Sequence, residues 1–144
     1  MNAAVVDTNV LIGCFRRERG IAEKVSEYDR VIVCPAVLGE FKAGIDIGTK
    51  RGRKAAERLD EFLDDPAVVV VPCTEETADY YARIFKALKA NGTPIPTNDI
   101  WIAASALEHG AAVLSGDGHF SYVPMLKLAW VFAARVARRR GTGV

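Results

Sequence analysis

Four acidic residues, Asp7, Glu40, Asp99 and Asp117, lie at points where the side chains of an α/β protein could converge. Asp7 and Asp117 each follow a short apolar run that predicts a buried strand. Glu40 and Asp99 lie near the start of helices that begin beside predicted strand ends. In open α/β sheets, ligands bind beyond the carboxyl ends of the strands. These four carboxylates are therefore candidates for one site.

Carboxylates brought together without a counter-ion repel one another, raise one another's pKa and destabilise the fold. A divalent cation removes that repulsion. Hard oxygen ligands favour Mg²⁺ or Mn²⁺, and the sequence offers no cluster of histidine and cysteine that would favour zinc. The chemistry typical of such a site is metal-assisted hydrolysis of a phosphodiester, in which the ion activates water and stabilises the leaving oxygen.

Each acid also has a purely structural interpretation. Asp7 could merely cap the helix that follows it, since aspartate is a good N-cap residue. Asp99 lies in the first turn of a helix, where the helix dipole favours an anion, although the apolar run Ile100–Ala104 predicts a buried helix that begins at a cleft. Asp117 lies between two glycines and fits a solvated turn equally well. Glu40 lies off the centre of the apolar stripe of its helix, so periodicity favours a solvated or groove-edge position.

Strands are predicted to alternate with helices along the whole chain. The predicted strands are 3–6, 31–34, 68–71, 111–114 and, with mixed character, 125–131. The predicted helices are 10–17, 21–28, 35–47, 53–63, 74–90 with Thr74 as N-cap, and a last one that ends at 109 with Thr97 or Asn98 as N-cap. The glycines from Gly48 to Gly52 are expected to separate two helices. This alternation predicts an α/β fold with a parallel sheet covered on both faces.

Length and composition indicate a single ordinary globular domain spanning 1–144, with a basic C-terminal tail at about 132–144. The formal net charge of +1 gives no global basic field that would indicate nucleic acid. Cys14, Cys34 and Cys73 lack metal-type spacing and are interpreted as reduced packing residues of a cytoplasmic protein. We expect no signal peptide at the N-terminus and no membrane span.

Three segments carry a resemblance to a known family: VVDTNVLI at the start, AVLGEF around Glu40, and PIPTNDIWIAASALEHGAAVLSGDGHF from Pro94 to Phe120. In their order, their spacing and the overall length, the chain resembles a PIN-domain nuclease of the VapC-like group, the toxins of bacterial and archaeal type II toxin–antitoxin pairs. The resemblance implies a three-layer α/β/α sandwich with a central, mainly parallel sheet. It also implies a Mg²⁺-dependent (or Mn²⁺-dependent) endoribonuclease specific for single-stranded or loop RNA, a homodimer, and inhibition by a cognate antitoxin.

The resemblance also assigns roles to individual residues. The acidic Mg²⁺ site would consist of Asp7, Glu40, Asp99 and Asp117. Thr8, Asn9 and Ser115 match polar positions that support the acids or the phosphate. His119 stands where the family often has a polar or aromatic residue, and it is a candidate substrate contact with a structural role as the alternative.

Other functions stay open at this stage. One is a PIN-domain nuclease for RNA processing that has no antitoxin. A second is a phosphatase with an aspartyl-phosphate intermediate, although Asn9 stands where the general acid of such an enzyme is expected. A third is a non-catalytic module that binds RNA or protein. The basic runs Lys50–Lys54 and Arg138–Arg140 could contact phosphates or could simply be solvated.

Overall fold

The computed structural model describes residues 1–131 of the chain, which form a central parallel sheet with helices around it. The strands are β1 (Ala3–Val6), β2 (Arg30–Val33), β3 (Val68–Val70), β4 (Ala112–Ser115) and β5 (Leu128–Trp130). The helices are α1 (Thr8–Phe15), α2 (Ile21–Ser26), α3 (Pro35–Ala43), α4 (Lys50–Asp64), α5 (Glu75–Asn91) and α6 (Thr97–Glu108), followed by a 3₁₀-helix at Gly118–Tyr122. The predicted α/β fold with a parallel sheet is confirmed.

The strand order β3-β2-β1-β4-β5 places β1 at the centre of the sheet, and all four neighbouring pairs are parallel. The chain adds β2 and β3 on one side of β1, then crosses back and adds β4 and β5 on the other side. In the register, Val5 lies between Ile32 of β2 and Val113 of β4. The side of β1 on which successive strands are added therefore changes between β3 and β4. At such a reversal of strand order, a crevice forms between β1 and β4 at the carboxyl ends of the strands.

The strands form where short apolar runs were predicted, because a parallel sheet covered on both faces needs side chains that are apolar on both sides. Val5, Val6 and Val33 are fully or almost fully buried. Strand β1 has the predicted bounds, and β2, β3 and β4 differ from theirs by one residue at one or both ends. Ser115, which was placed in a turn, is the last residue of β4, and β5 is limited to Leu128–Trp130.

The start of α4 was predicted wrongly. Gly48–Gly52 was expected to be non-helical, but α4 begins at Lys50, and the Oγ1 of Thr49 accepts a hydrogen bond from the Gly52 N–H at 3.0 Å. A Cβ at position 52 would lie 1.7 Å from the carbonyl oxygen of Asp46. Glycine is thus required there for close packing and does not break the helix. The preceding helix, α3, ends at Ala43 and not at the predicted 47.

Helices α5 and α6 pack against each other beside the sheet. The Thr77 Oγ1 donates to Glu108 Oε1 at 2.6 Å across the two helices, and Thr77 also forms a capping box with Thr74, the predicted N-cap. The rings of Tyr81 and Trp101 are 4.4 Å apart between centroids. Helix α6 is apolar on nearly all sides and buried, as predicted.

The N-cap prediction for α6 was wrong. Its N-cap is Pro96, and no side chain caps the first turn, whereas Thr97 or Asn98 was expected there. Because Thr97 and Asn98 are already helical residues, their side chains do not serve the helix end and line a cavity described below.

The cysteines differ in their surroundings. Burial raises the pKa of Cys14 and of Cys34 to about 11, so both thiols stay protonated at neutral pH, as expected of packing residues. Cys73 is exposed, and the packing interpretation is wrong for it.

Two further predictions concern the ends of the chain and the membrane. The basic tail at about 132–144, with Arg138–Arg140, lies outside the described residues. Within residues 1–131, none of the helices has the length and apolar character needed to cross a bilayer.

Candidate active site

A cavity of about 530 Å³ opens beyond the carboxyl ends of β1 and β4. The acids Asp7, Glu40, Asp99 and Asp117 all line it. The structure thus brings together four residues that are spread over more than a hundred positions of the chain. The other lining residues are Thr8, Asn9, Ile12, Pro96, Thr97, Asn98, Ile102 and His119.

Asp7 combines the two roles that the sequence presented as alternatives. Its side chain is buried, and its Oδ1 accepts a hydrogen bond from the Val10 N–H at 2.9 Å, which caps α1. Its Oδ2 accepts a hydrogen bond from the Ser115 hydroxyl. Asp7 therefore holds the start of α1 against the end of β4 while it lines the cavity.

Ser115 connects two of the acids and is fully buried at the end of β4. Its hydroxyl donates to Asp7 and accepts a hydrogen bond from the Asp117 N–H at 2.8 Å. One hydroxyl therefore fixes the Asp7 carboxylate and the backbone of Asp117. Ser115 positions the site without being part of the cavity wall.

Replacing Ser115 by alanine is expected to lower the free energy of unfolding by about 1 to 3 kcal/mol, because the Asp117 N–H loses its acceptor and Asp7 loses a donor. Ser105 is a matched control, since it is equally buried and, among residues 1–131, its hydroxyl has no hydrogen-bond partner. Ser105→Ala is expected to change stability by no more than about 0.5 kcal/mol or to raise it. Urea unfolding of wild type and both variants measures these free energies of unfolding. An equal decrease in Ser115→Ala and Ser105→Ala would contradict this role of Ser115.

Asp99 has an environment that opposes its charge, although it lies in the first turn of α6. Burial, followed by the nearby Asp117 charge, raises its pKa from 3.8 to about 6. A hydrogen bond and the charge of His119 act in the opposite direction, and Asp7 adds a smaller raising effect. Desolvation and like charges therefore outweigh the contacts with His119, which favour the anion. A raised carboxylate pKa in a cleft is typical of functional sites.

Asp117 and His119 lie at the start of the 3₁₀-helix. The Asp117 Oδ1 accepts a hydrogen bond from the His119 N–H at 2.9 Å, so Asp117 caps this helix. The imidazole Nδ1 of His119 lies 3.1 Å from Asp117 Oδ1 and 3.2 Å from Asp99 Oδ2. Asp117 is thus part of an ordered contact between two elements, which a simple solvated turn would not require.

Glu40 is exposed on α3, as its position off the apolar stripe predicts. It also lines a neighbouring cavity of about 660 Å³, together with residues of α1 and α4. Glu40 therefore stands where the two cavities meet, which agrees with the groove-edge interpretation.

The donor atoms of the site suit a divalent cation. Within residues 1–131, one ligand atom each from Asp99, Asp117 and His119 can be chosen so that all lie within 4.8 Å of one another. Asp7 and Glu40 line the same cavity but are not members of this compact set. The Oγ1 of Thr8 is buried at the cavity without a hydrogen-bond partner among the described residues, which leaves it available to a ligand. Carboxylate oxygens are the ligands that Mg²⁺ and Mn²⁺ prefer.

The lining residues Ile12, Pro96, Thr97, Asn98 and Ile102 were not singled out from the sequence as site residues. Thr97 and Asn98 were interpreted as caps of α6. The signal that could have found them is their position next to Asp99 at the start of a helix that is apolar on all sides.

Comparison with known proteins identifies chains that are similar to this one. A model of the family described as PIN domain matches residues 4–125. Ribonuclease VapC4 of Mycobacterium tuberculosis is 29% identical over 121 residues, which cover 84% of this chain and 91% of that protein. Ribonuclease VapC1 of Haemophilus influenzae is 30% identical over 115 residues, which cover 77% of this chain and 84% of that protein. The solved structure of VapBC-1 from nontypeable Haemophilus influenzae has a TM-score of 0.74 at 26% identity and covers 88% of this chain and 96% of that chain.

Proposed function

Because the chain belongs to the PIN domain family, we propose that it is an endoribonuclease of the VapC-like toxin group that depends on Mg²⁺ or Mn²⁺. The observation that carries the proposal is that four acids line one cavity, at the carboxyl ends of β1 and β4, where the strand order of the sheet reverses. The four acids are Asp7, Glu40, Asp99 and Asp117. Two relatives that match most of this chain are named ribonucleases, which supports the choice of RNA as substrate.

In this proposal Asp7, Asp99 and Asp117 hold the cation directly or through water, and Glu40 completes the acidic cluster and orients water. When bound, such a cation activates water and stabilises the leaving oxygen of a phosphodiester. The residues of the chain supply binding and orientation. Ser115 fixes two of the acids through its hydroxyl.

The substrate phosphate would contact polar side chains of the same cavity. Thr8 and Asn9 begin α1, and the backbone N–H groups at a helix N-terminus favour an anion. The orphaned Thr8 hydroxyl would gain a hydrogen bond from such a contact. The cavity is open to solvent at the exposed Glu40 and at the half-exposed His119, so an extended single strand can reach it.

We further propose that an antitoxin binds next to the acids, in the neighbouring cavity of about 660 Å³. Its apolar lining includes Phe15 of α1, Phe41 of α3 and Ile45, which follows α3. Its basic lining consists of Arg16, which follows α1, and of Arg51, Lys54 and Arg58 of α4. This mixture suits an amphipathic segment that also carries acidic side chains. The solved structure of VapBC-5 from Mycobacterium tuberculosis is described as a member of a family of toxin–antitoxin systems, which supports an antitoxin as the kind of partner. A homodimer and a cytoplasmic location are part of the same proposal.

The test is cleavage of end-labelled single-stranded RNA by the purified chain, with Mg²⁺, with Mn²⁺ and with excess chelator. We expect cleavage with either ion and none in chelator, while duplex RNA and single-stranded DNA are cut far more slowly. Undiminished cleavage in chelator would overturn the dependence on a cation.

Expression of the chain in a bacterial host tests the toxin assignment. Growth is expected to slow, and the variant Asp99→Asn, expressed to the same level, is expected to be harmless. If the wild-type chain is also harmless but cleaves RNA in vitro, the RNA-processing nuclease without an antitoxin replaces the toxin.

A further inference from the structure

His119 lies between two carboxylates that come from different parts of the fold. Its Nδ1 is 3.2 Å from Asp99 Oδ2, at the start of α6, and 3.1 Å from Asp117 Oδ1, beyond the end of β4. The backbone N–H of His119 donates to the same Asp117 Oδ1 at 2.9 Å, which fixes the backbone from which the ring projects. The ring therefore faces the acids from a defined direction.

These distances match the separation of neighbouring ligands around one cation. Two ligands with metal bonds of about 2.1 Å lie about 3.0 Å apart in an octahedral site and about 3.4 Å apart in a tetrahedral one. The two Nδ1–oxygen distances of 3.1 and 3.2 Å fall in this range. The side chain of His119 is 47% exposed, and those of Asp99 and Asp117 are 16% and 33% exposed, so a hydrated ion can reach the three atoms.

We propose that the Nδ1 of His119 is a metal ligand together with Asp99 and Asp117, so that this chain has a mixed nitrogen–oxygen site and binds Mn²⁺ in preference to Mg²⁺. The proposal rests on the proposed function, since it concerns the same cation, and it adds a ligand that the four-carboxylate assignment lacks. Imidazole suits first-row transition metals, whereas Mg²⁺ prefers oxygen ligands alone. In this arrangement the imidazole is neutral and its Nε2 faces away from the ion.

The alternative role is a hydrogen bond from the imidazole to the two carboxylates. In that case the ring stands in the place of the cation and competes with it. The two roles predict opposite results when the ring is removed. If the ring is a ligand, its removal weakens the binding of Mn²⁺. If the ring competes with the cation, its removal strengthens the binding of Mn²⁺.

The experiment uses the full chain, stripped of metal with chelator and then dialysed, with Mn²⁺ alone as the probe. Pulsed electron paramagnetic resonance detects the modulation from a directly bound imidazole nitrogen. The chain has two histidines, and the second one, His109, has its Nδ1 2.8 Å from the carbonyl oxygen of Ser105, at the other end of α6. His109→Ala is therefore the matched control. We expect the nitrogen signal in the wild type and in His109→Ala, and its loss in His119→Ala.

Calorimetric titration with Mn²⁺ and with Mg²⁺ gives a second measurement. His119→Ala is expected to weaken Mn²⁺ binding on the order of tenfold and Mg²⁺ binding by less than about threefold. A wild-type protein that binds Mn²⁺ without a nitrogen signal overturns the role of His119 alone. Equal or tighter binding of Mn²⁺ by His119→Ala does the same and identifies the ring as a competitor. If the wild type binds neither ion, both this inference and the proposed cation-dependent function fail.

Discussion

Asp99→Asn is expected to lower the rate of RNA cleavage on the order of a thousandfold, because it removes a charge from the centre of the site while keeping the size of the side chain. Asp99 is in contact with His119, and its pKa is affected by both Asp117 and Asp7. Loss of its charge therefore changes the electrostatic field at these three residues. Asp117→Asn is expected to have an effect of similar size.

The measurement is the single-turnover cleavage rate at a concentration of Mn²⁺ that saturates the wild type. Asp79→Asn, on the exposed surface of α5, is the control for a lost surface charge and is expected to keep the wild-type rate. Raising the Mn²⁺ concentration should partly restore the Asp99 variant if the loss lies in metal binding. A rate within about tenfold of wild type for both site variants would remove the assignment of these acids to catalysis.

The stability of the metal-free protein is expected to fall as the pH rises from about 4 to about 6, relative to that of Asp99→Asn. The folded-state pKa of Asp99 is raised from 3.8 to about 6, so between these values the native state binds more protons than the unfolded state. The destabilisation from Asp99 is therefore absent below the unfolded pKa and fully present above the folded one. The shift corresponds to about 3 kcal/mol at most, and solvent contact of the carboxylate reduces the expected effect to about 1 to 2 kcal/mol.

Urea unfolding of wild type and Asp99→Asn from pH 4 to pH 8, in chelator, measures this difference. The advantage of the variant should appear through the stated range and stay constant above it, while Asp79→Asn should show no such change. Divalent cation binds the folded site and hardly the unfolded chain, so it should raise the melting temperature of the wild type with concentration, and less so that of Asp99→Asn. A variant less stable than wild type at every pH, in a protein that ignores Mg²⁺ and Mn²⁺, would show that these acids do not form one site.

Much of the fold could be predicted from local patterns in the sequence. Each buried strand of a parallel sheet is a short apolar run, so the strands beginning at Ala3, Arg30, Val68 and Ala112 were located to within about two residues. The apolar run after Asp99 identified a buried helix for the same reason. The ends of helices were harder to predict. Gly52 lies inside α4, and a Cβ there would clash with the Asp46 carbonyl, so this glycine serves close packing that the sequence pattern does not distinguish from a helix break.

The position of the four acids relative to one another was decided by the tertiary structure. Ser115 and Asp7 are 108 residues apart in the chain and form a hydrogen bond because β1 and β4 are neighbours in the sheet. Periodicity reports which face of an element is buried, but strand order and register decide which ends meet. The contact of His119 with Asp99 and Asp117 has the same origin, since a short helix after β4 must come to rest against the start of α6. The sequence by itself therefore determined the kinds of residue available to the site, and only the packing of strands and helices determined which of them line one cavity.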